Sequence, residues 1–406
     1  MLDTKETVLC IVEGTRYKRD KREVQFLLYD AEAVAEDPTR YHVIDWERAR
    51  PYAESLIRKL RNGTWKHRQP KYRRQYCSNR TSGKGKWRDL YIPCLDDHII
   101  GHMAMNASME AFTRGMHPDC CGSVPDRGIK HILERVRPWM LNDRQCRYFV
   151  KLDIRHFFDT IDRDLLMQKL ESKIKDKYVL AVFRQIIWSA PTACPVGYYT
   201  SPWLANLFLE DLDWYIEQEL YKVRRGKRIP YVRHQIRYVD DILLIGTSEK
   251  DLRTAIRMIQ NYLREKKHLE IKTNWEIKRI GKHEAVNGKR RMVPGTYWCD
   301  IGGYKFCKDS VIMRDGIYLD MRRLARRMGK AEYQTAHQKA SMNSKLAWAE
   351  KCDTWQFVET EIMPYVTIEN RRKNHVEKNR KRRGCKAGGT GDLRQQCDSE
   401  ERLPEN

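Results

Sequence analysis

The stretch Arg237-Tyr238-Val239-Asp240-Asp241-Ile242-Leu243-Leu244-Ile245-Gly246 constrains the fold of this chain more than any other. Apolar residues recur at every second position on both sides of an acidic pair, Ile236 and Tyr238 before it, Ile242 and Leu244 after it. That is the period of a half-buried strand, so the pattern predicts strand, tight turn, strand, with Asp240 and Asp241 at the tip. Adjacent carboxylates repel one another at a sheet corner unless a cation neutralises them, and hard oxygen ligands suit Mg²⁺. An Asp-Asp pair by itself is more often a solvated turn than a metal site, and the rest of the chain has to decide between the two.

The chain's charge narrows the choice. Lys and Arg number 78 against 55 Asp and Glu over 406 residues, a net charge of +23 spread along the whole sequence. Such a field calls for a polyanionic partner, nucleic acid before anything else. No run of eighteen apolar residues, signal peptide, lipid motif or basic amphipathic anchor is visible, so no membrane is expected and the predicted location is cytoplasmic. Twelve cysteines are scattered without paired Cys-x-x-Cys units, which reads as reduced structural thiols.

Along the chain, Val8 to Val12 and Val24 to Tyr29 read as strands around a charged loop, and Asp45 to Leu60 as an amphipathic helix. From Lys66 to Arg88 basic residues interleave with aromatics, through a Ser82-Gly83-Lys84-Gly85-Lys86 tip into a strand that presents Lys86 and Arg88. This mixture suits phosphates and bases better than a merely solvated face. Leu95 to Met109 reads as a buried helix, and Arg127, before a helix from Ile129 to Arg137, either meets a phosphate or caps the fold. Tyr148 to Asp153 is a strand ending on a carboxylate, and a helix is expected from Arg163 to Lys173, with Asp159 and Asp162 as possible N-caps. Ser201 as N-cap with Pro202 at the first helical position predicts a helix running to Leu220, and Gly197 just before it would let the backbone approach a planar or phosphate-bearing ligand closely. Asp251 to Lys267 is expected to be helical, Leu269 to Ile277 a strand pair or strand and turn, Thr296 to Cys307 a hairpin, and Tyr318 onward helical and basic. Residues 371–406 read as a disordered basic tail.

Taken together and in order, Leu152-Asp153-Ile154 with Phe157-Phe158, Val196-Gly197 with Ser201-Pro202 and Ala205-Asn206, and Tyr238-Val239-Asp240-Asp241 resemble the successive palm motifs of reverse transcriptases. The likeness extends to Arg88 through Pro93, Gly122 through Gly128, and Asp300 through Phe306, covering roughly residues 55–365. Val196 where a Gln is usual, Ile271-Lys272-Thr273-Asn274-Trp275, and Lys345 through Asp353 are most similar to the enzymes of diversity-generating retroelements and related unclassified bacterial enzymes.

This resemblance implies an α+β right-hand polymerase with a palm of antiparallel sheet backed by helices. Residues 1–54 would be an N-terminal extension, 55–150 fingers, 151–310 palm with a fingers insertion at about 165–195, and 311–370 a helical thumb. Nucleotidyl transfer in the family uses two Mg²⁺ ions about 4 Å apart, with Mn²⁺ as a substitute. By resemblance Asp153 and Asp240 bridge them, Asp241 and the Ile154 carbonyl assist, and Lys272 protonates the leaving pyrophosphate. Lys86 and Arg88 would hold the triphosphate, Phe158 would reject a 2′-hydroxyl, and Val196 and Gly197 would line template and nucleotide. The implied partners are an RNA template, a primer, deoxynucleoside triphosphates, the cDNA product and a small basic accessory protein. A defence-associated or retron-like enzyme copying its own non-coding RNA, and an inactive RNA-binding scaffold, are the alternatives.

Overall fold

A computed structural model describes residues 3–16, 18, 22–28, 46–77, 85–286, 289–331 and 333–366. The Ser82–Lys84 tip and the basic tail lie outside them. The chain divides into two compact units, one through Arg314 and one from Asp315.

The strands expected near the N-terminus are helices: α1 (Thr4–Thr15) and α2 (Arg22–Leu28). A continuous apolar run such as Val8 to Val12 fits a buried helix as well as a strand. Here Asp3 settles the choice by accepting the Glu6 N–H at 2.8 Å, and Thr7, Val8, Ile11, Gly14 and Thr15 are buried along one helical face. Helix α3 (Trp46–Arg61) buries Ala49, Ala53, Leu56, Ile57 and Leu60.

After α3, Trp65 Nε1 and the Arg68 N–H both donate to buried Asp97, at 3.0 and 2.9 Å, pinning the entry to a two-stranded hairpin. That hairpin pairs β1 (Lys71–Cys77) with β2 (Lys86–Ile92). Helix α4 (Leu95–Thr113) follows, then β3 (Cys120–Cys121) and α5 (Ile129–Asn142). Arg127 turns inward and donates to the His117 carbonyl at 2.9 Å, the capping role. Strand β4 (Tyr148–Asp153) leads through a single turn, Phe157–Thr160, into α6 (Arg163–Lys173) and α7 (Lys177–Trp188). Asp162 caps α6 by accepting from Asp164 and Leu165, whereas Asp159 lies inside the preceding turn and caps nothing.

The helix expected from Ser201 breaks at Leu209 into α8 (Ser201–Phe208) and α9 (Glu210–Gln218). Thr200, not Ser201, holds the N-cap position, because the buried Ser201 hydroxyl donates instead to the Pro195 carbonyl at 2.7 Å. A basic hairpin, β5 (Tyr221–Arg224) with β6 (Lys227–Pro230), precedes β7 (His234–Tyr238) and β8 (Asp241–Gly246). Helix α10 (Glu249–Tyr262) ends in a π-turn at Leu263–Lys267. No strand forms over Leu269 to Ile277; Ile271 makes only a bridge to Ile154 before the chain leaves the sheet. Strand β9 (Lys278–Arg279), the hairpin β10 (His283–Val286) and β11 (Lys289–Met292), and a three-stranded meander of β12 (Cys299–Ile301), β13 (Tyr304–Phe306) and β14 (Val311–Met313) complete the first unit.

The central sheet has the order β3-β7-β8-β4-β9, antiparallel except for the β3–β7 pair. Strand β8 is buried from Ile242 to Gly246, on both faces rather than one, because it is the middle strand. Ile242, Leu244, Val150 and Leu152 join the main core, where α10 packs behind β8 and β4. An α+β fold with a largely antiparallel sheet backed by helices is thus present, as expected.

The second unit contains α11 (Asp315–Lys330) and α12 (Ala336–Ala349), the latter opened by a Thr335–Gln338 capping box. Tyr318 stacks on Phe357 at 3.8 Å and Arg322 pairs with Glu361 at 2.8 Å.

Candidate active site

A two-residue hairpin fixes register, and this one aligns Tyr238 with Asp241 so that Val239 and Asp240 form the turn. Val239 sits at φ +58°, the left-handed region where such hairpins ordinarily put Gly. A β-branched residue there is strained and must be held by its surroundings. Its N–H donates to the Cys121 carbonyl at 3.2 Å, and its carbonyl accepts from Arg237 Nη1 at 2.8 Å.

Arg237 is the centre of that support. Only 2% exposed, it points inward from β7 and grips Asp213 of α9 through Nε at 2.8 Å and Nη2 at 2.6 Å. Burial disfavours its charge, but Asp213 more than compensates and keeps its pKa above the usual guanidinium value. Nη1 also donates to Asn206 Oδ1 at 2.9 Å, and Asn206 Nδ2 donates to the Gly122 carbonyl at 2.7 Å. Gly122, at φ +85°, lies so close that a Cβ would stand 3.0 Å from Val239 Cγ2 and 3.1 Å from the Tyr238 ring. Sequence reasoning named Arg237, Asn206 and Gly122 only as parts of motifs and missed Asp213. The signal was present: a charged residue between Ile236 and Tyr238 in a central strand demands a buried carboxylate, and Glu210, Asp211 and Asp213 follow the Asn206 motif.

The antiparallel pairing of β4 with β8 sets Asp153 opposite Asp241, so two strands deliver carboxylates to one end of the sheet. Lys272 Nζ donates to Asp153 Oδ2 at 2.8 Å, and its backbone N–H donates to the Asp153 carbonyl at 2.9 Å. Arg155 N–H to the Glu270 carbonyl, 2.7 Å, and the Ile154–Ile271 bridge bind the same two segments. Burial first, then the charges of Asp241 and Asp153, push the Asp240 carboxyl above the usual carboxylate range, with Lys272 opposing. The end of the sheet is therefore short of positive charge. Its donors are hard carboxylate oxygens plus the Ile154 carbonyl, a set that fits a divalent cation of the Mg²⁺ type.

Among the described residues, two other groups bring metal-capable atoms together, Asp143 with Cys146 and His234, and His283 with Cys307 and Asp309. In each a basic side chain already engages the aspartate, Arg233 on Asp143 and Arg290 on Asp309.

Val196 and Gly197 meet the β1–β2 hairpin. The Tyr91 N–H donates to the Val196 carbonyl at 2.8 Å, and a Cβ on Gly197, at φ +116°, would lie 2.5 Å from the Tyr91 carbonyl oxygen. In this structure the backbone that comes close to Gly197 is that of β2. Burial, then the charges of Asp89 and Asp159, raise the Tyr91 phenol, and both Tyr91 and half-buried Phe158 pack against the main core. Phe158 leans edge-on against buried Phe157, 5.5 Å between centroids. Lys86 and Arg88 lie on the outer half of β2, exposed, on the hairpin face that also carries Lys71 and Arg73. Neither has a carboxylate partner among the described residues, whereas the opposite face is internally paired through Tyr72–Asp89 and Arg74–Trp87.

Residues 70–276, half of the chain, match the family model described as reverse transcriptase (RNA-dependent DNA polymerase). The chain belongs to the reverse transcriptase family. Its right-hand polymerase plan and the family's dependence on divalent metal follow from that membership. Among curated relatives, protein YkfC of Escherichia coli K12 is 25% identical over 210 residues, 43% of this chain and 54% of YkfC. Retron Ec73 reverse transcriptase of Escherichia coli is 25% identical over 264 residues, 61% of this chain and 75% of that protein. Group II intron-encoded protein LtrA of Lactococcus lactis is 28% identical over 183 residues, 42% of this chain and 29% of LtrA. The chain thus spans about half the length of YkfC and under a third of LtrA. No helix of the described residues is long and apolar enough to cross a membrane.

Proposed function

We propose that this reverse transcriptase-family chain is an RNA-directed DNA polymerase that extends a primer along an RNA template. The observation that carries the reading is the pairing of Asp153 with Asp241 beside the Asp240 turn, on two strands locked in register. Asp153, Asp240, Asp241 and the Ile154 carbonyl would hold two Mg²⁺ ions, or Mn²⁺ in their place. When bound, these supply Lewis-acid activation of the primer 3′-hydroxyl and neutralise charge on the triphosphate. Lys272, whose ammonium is already within hydrogen-bond reach of Asp153, is the proton donor to the departing pyrophosphate. Lys86 and Arg88, unpaired and exposed, take the triphosphate, and the Phe158 ring excludes a ribose 2′-hydroxyl. Val196 and Gly197, tied to β2, line the nascent pair.

Primer extension on an RNA template with Mg²⁺ tests the reading: deoxynucleotide incorporation by the wild type that is lost in Asp240→Ala supports it, and no incorporation by the wild type overturns it.

Within that activity we favour error-prone cDNA synthesis for a diversity-generating retroelement, with a small basic accessory protein as partner. An apolar Val196 where a Gln is usual removes a polar contact to the new pair, so Val196→Gln is expected to lower the error rate; an unchanged rate counts against this role. The match to retron Ec73 reverse transcriptase over 61% of the chain favours the second reading, a retron-like or defence enzyme copying its own RNA. Sequencing the RNA that co-purifies with the protein separates them: a template repeat fits the first, a structured non-coding RNA the second.

A further inference from the structure

The sheet edge farthest along β4 from Asp153 carries features that the polymerase chemistry leaves unused. Strand β9 pairs Lys278 with Phe149 and Arg279 with Tyr148, at the opposite end of β4 from the carboxylates. Tyr148 and Asp153 are five residue steps apart along the strand, roughly 17 Å. Beside β9 opens a cleft of about 300 Å³ lined by Trp275, Glu276, Ile277, Lys278, Tyr297 and Arg253.

Its two rings differ in exposure but are both fixed. Trp275 packs against the main core. Tyr297 is 48% exposed, yet its N–H donates to the Arg279 carbonyl at 2.9 Å and its carbonyl accepts from Gly281 at 2.8 Å. With its backbone held on both sides and the Lys278 ammonium 5.3 Å from the ring centroid, this half-exposed ring has limited freedom to lose when a planar group settles on it.

The surrounding charge is cationic and continuous. On α10, Lys250, Arg253 and Arg257 recur at helical spacing and are exposed, and Arg264 prolongs the stripe into the π-turn. Lys222 of β5 pairs with Asp251 of α10 at 2.6 Å, which ties the exposed Arg224-Arg225-Gly226-Lys227 tip to the same helix. Lys250, Arg257, Arg224, Arg225 and Lys227 have no carboxylate partner among the described residues. Three of the acids here are engaged, Glu249 by Arg253, Glu276 by Lys278 and Asp251 by Lys222, and Glu265 lies exposed beside Arg264 in the π-turn.

We propose that this cleft and the cationic face of α10 form a second RNA-binding site, separate from the template path. Unpaired bases stack on Tyr297 and Trp275, and phosphates follow Arg253, Arg257 and the β5–β6 tip. An acidic protein would meet the same charges but has nothing that uses two fixed rings in a cleft of nucleotide size. The inference takes its partner from the polymerase reading, while its residues touch none of the carboxylates.

The test uses the full chain with its active site filled by an RNA–DNA hybrid whose primer lacks a 3′-hydroxyl, plus the next nucleotide. A labelled short single-stranded RNA containing 4-thiouridine is then titrated in and photo-crosslinked. The expected results are binding of this second RNA, crosslinks at Tyr297 or Trp275, and about tenfold weaker binding in Tyr297→Ala, with affinity kept in Tyr297→Phe. Arg253→Gln with Arg257→Gln should flatten the salt dependence, by a slope of about 0.7 for each phosphate that is no longer neutralised. Extension of a short generic primer–template should be unchanged in all of these variants. No second RNA bound, full affinity in Tyr297→Ala, or equal competition by polyglutamate overturns the proposal. Failure of the wild type to extend a primer would instead strike the polymerase reading, so the two failures are distinguishable.

Discussion

Asp240 is the residue on which charge, burial and strain meet. Its neighbour Val239 is forced to φ +58°, and its own carboxyl is raised by burial and by Asp241 and Asp153. A carboxyl raised in the folded state makes the fold lose stability as pH rises from the unfolded carboxylate value through the raised one, and the deficit persists above it. Asp240→Asn removes that deficit. We expect its melting temperature at pH 8 without divalent metal to equal or exceed that of the wild type, although primer extension falls by roughly 10³-fold. The same linkage sets the pH dependence of metal binding, since cation and proton compete for one carboxylate. The thermal shift produced by Mg²⁺ or Mn²⁺ should therefore grow as pH rises through the raised Asp240 value and be largely lost in Asp240→Asn; a pH-independent shift would refute the assignment. Lys272→Ala should lower the extension rate by about 10²-fold if it is the proton donor, with nucleotide KM little changed.

At the scale of elements, the site depends on two clamps. One joins β7 to α9 through Arg237 and Asp213, with Asn206 of α8 and the Gly122 loop attached. Removing one partner of a buried bidentate pair strands the other charge, so Arg237→Met should cost about 3–5 kcal/mol in denaturant unfolding. Replacing both, as Arg237→Met with Asp213→Leu, should recover much of the stability but not the activity, because the Val239 carbonyl still loses its donor. The second clamp holds β2 against the Val196–Gly197 loop. Gly197→Ala puts a methyl 2.5 Å from the Tyr91 carbonyl and demands a left-handed alanine. A rise of several-fold in nucleotide KM, with kcat less affected, is expected from the displaced hairpin, together with about 1–3 kcal/mol of destabilisation.

Over the whole molecule the net charge of +23 predicts that the proposed nucleic-acid binding weakens steeply as salt rises. Polymerase motifs could be read without a structure because their chemistry requires particular residue types on elements of short local period: Asp153 closing one strand, Asp240 and Asp241 at the tip of a hairpin, Ser201-Pro202 starting a helix. Local pattern failed where it is degenerate. The apolar run Val8 to Val12 fits either element, and the Asp3 cap together with packing of α1 on α4 decided for helix. Leu269 to Ile277 has strand composition yet exchanges only a few backbone bonds with the carboxylate end of β4, and the ladder on that edge forms at the other end, where β9 pairs with Tyr148 and Phe149. The sequence by itself determined the family, the acidic pair between two apolar strands and the excess of cationic charge, since each rests on residue chemistry and spacing. Tertiary structure alone decided how the strained Asp240 turn is held: the Arg237–Asp213–Asn206–Gly122 support draws on four segments of the chain. Their mutual need for hydrogen-bond partners exists only once the segments are buried together.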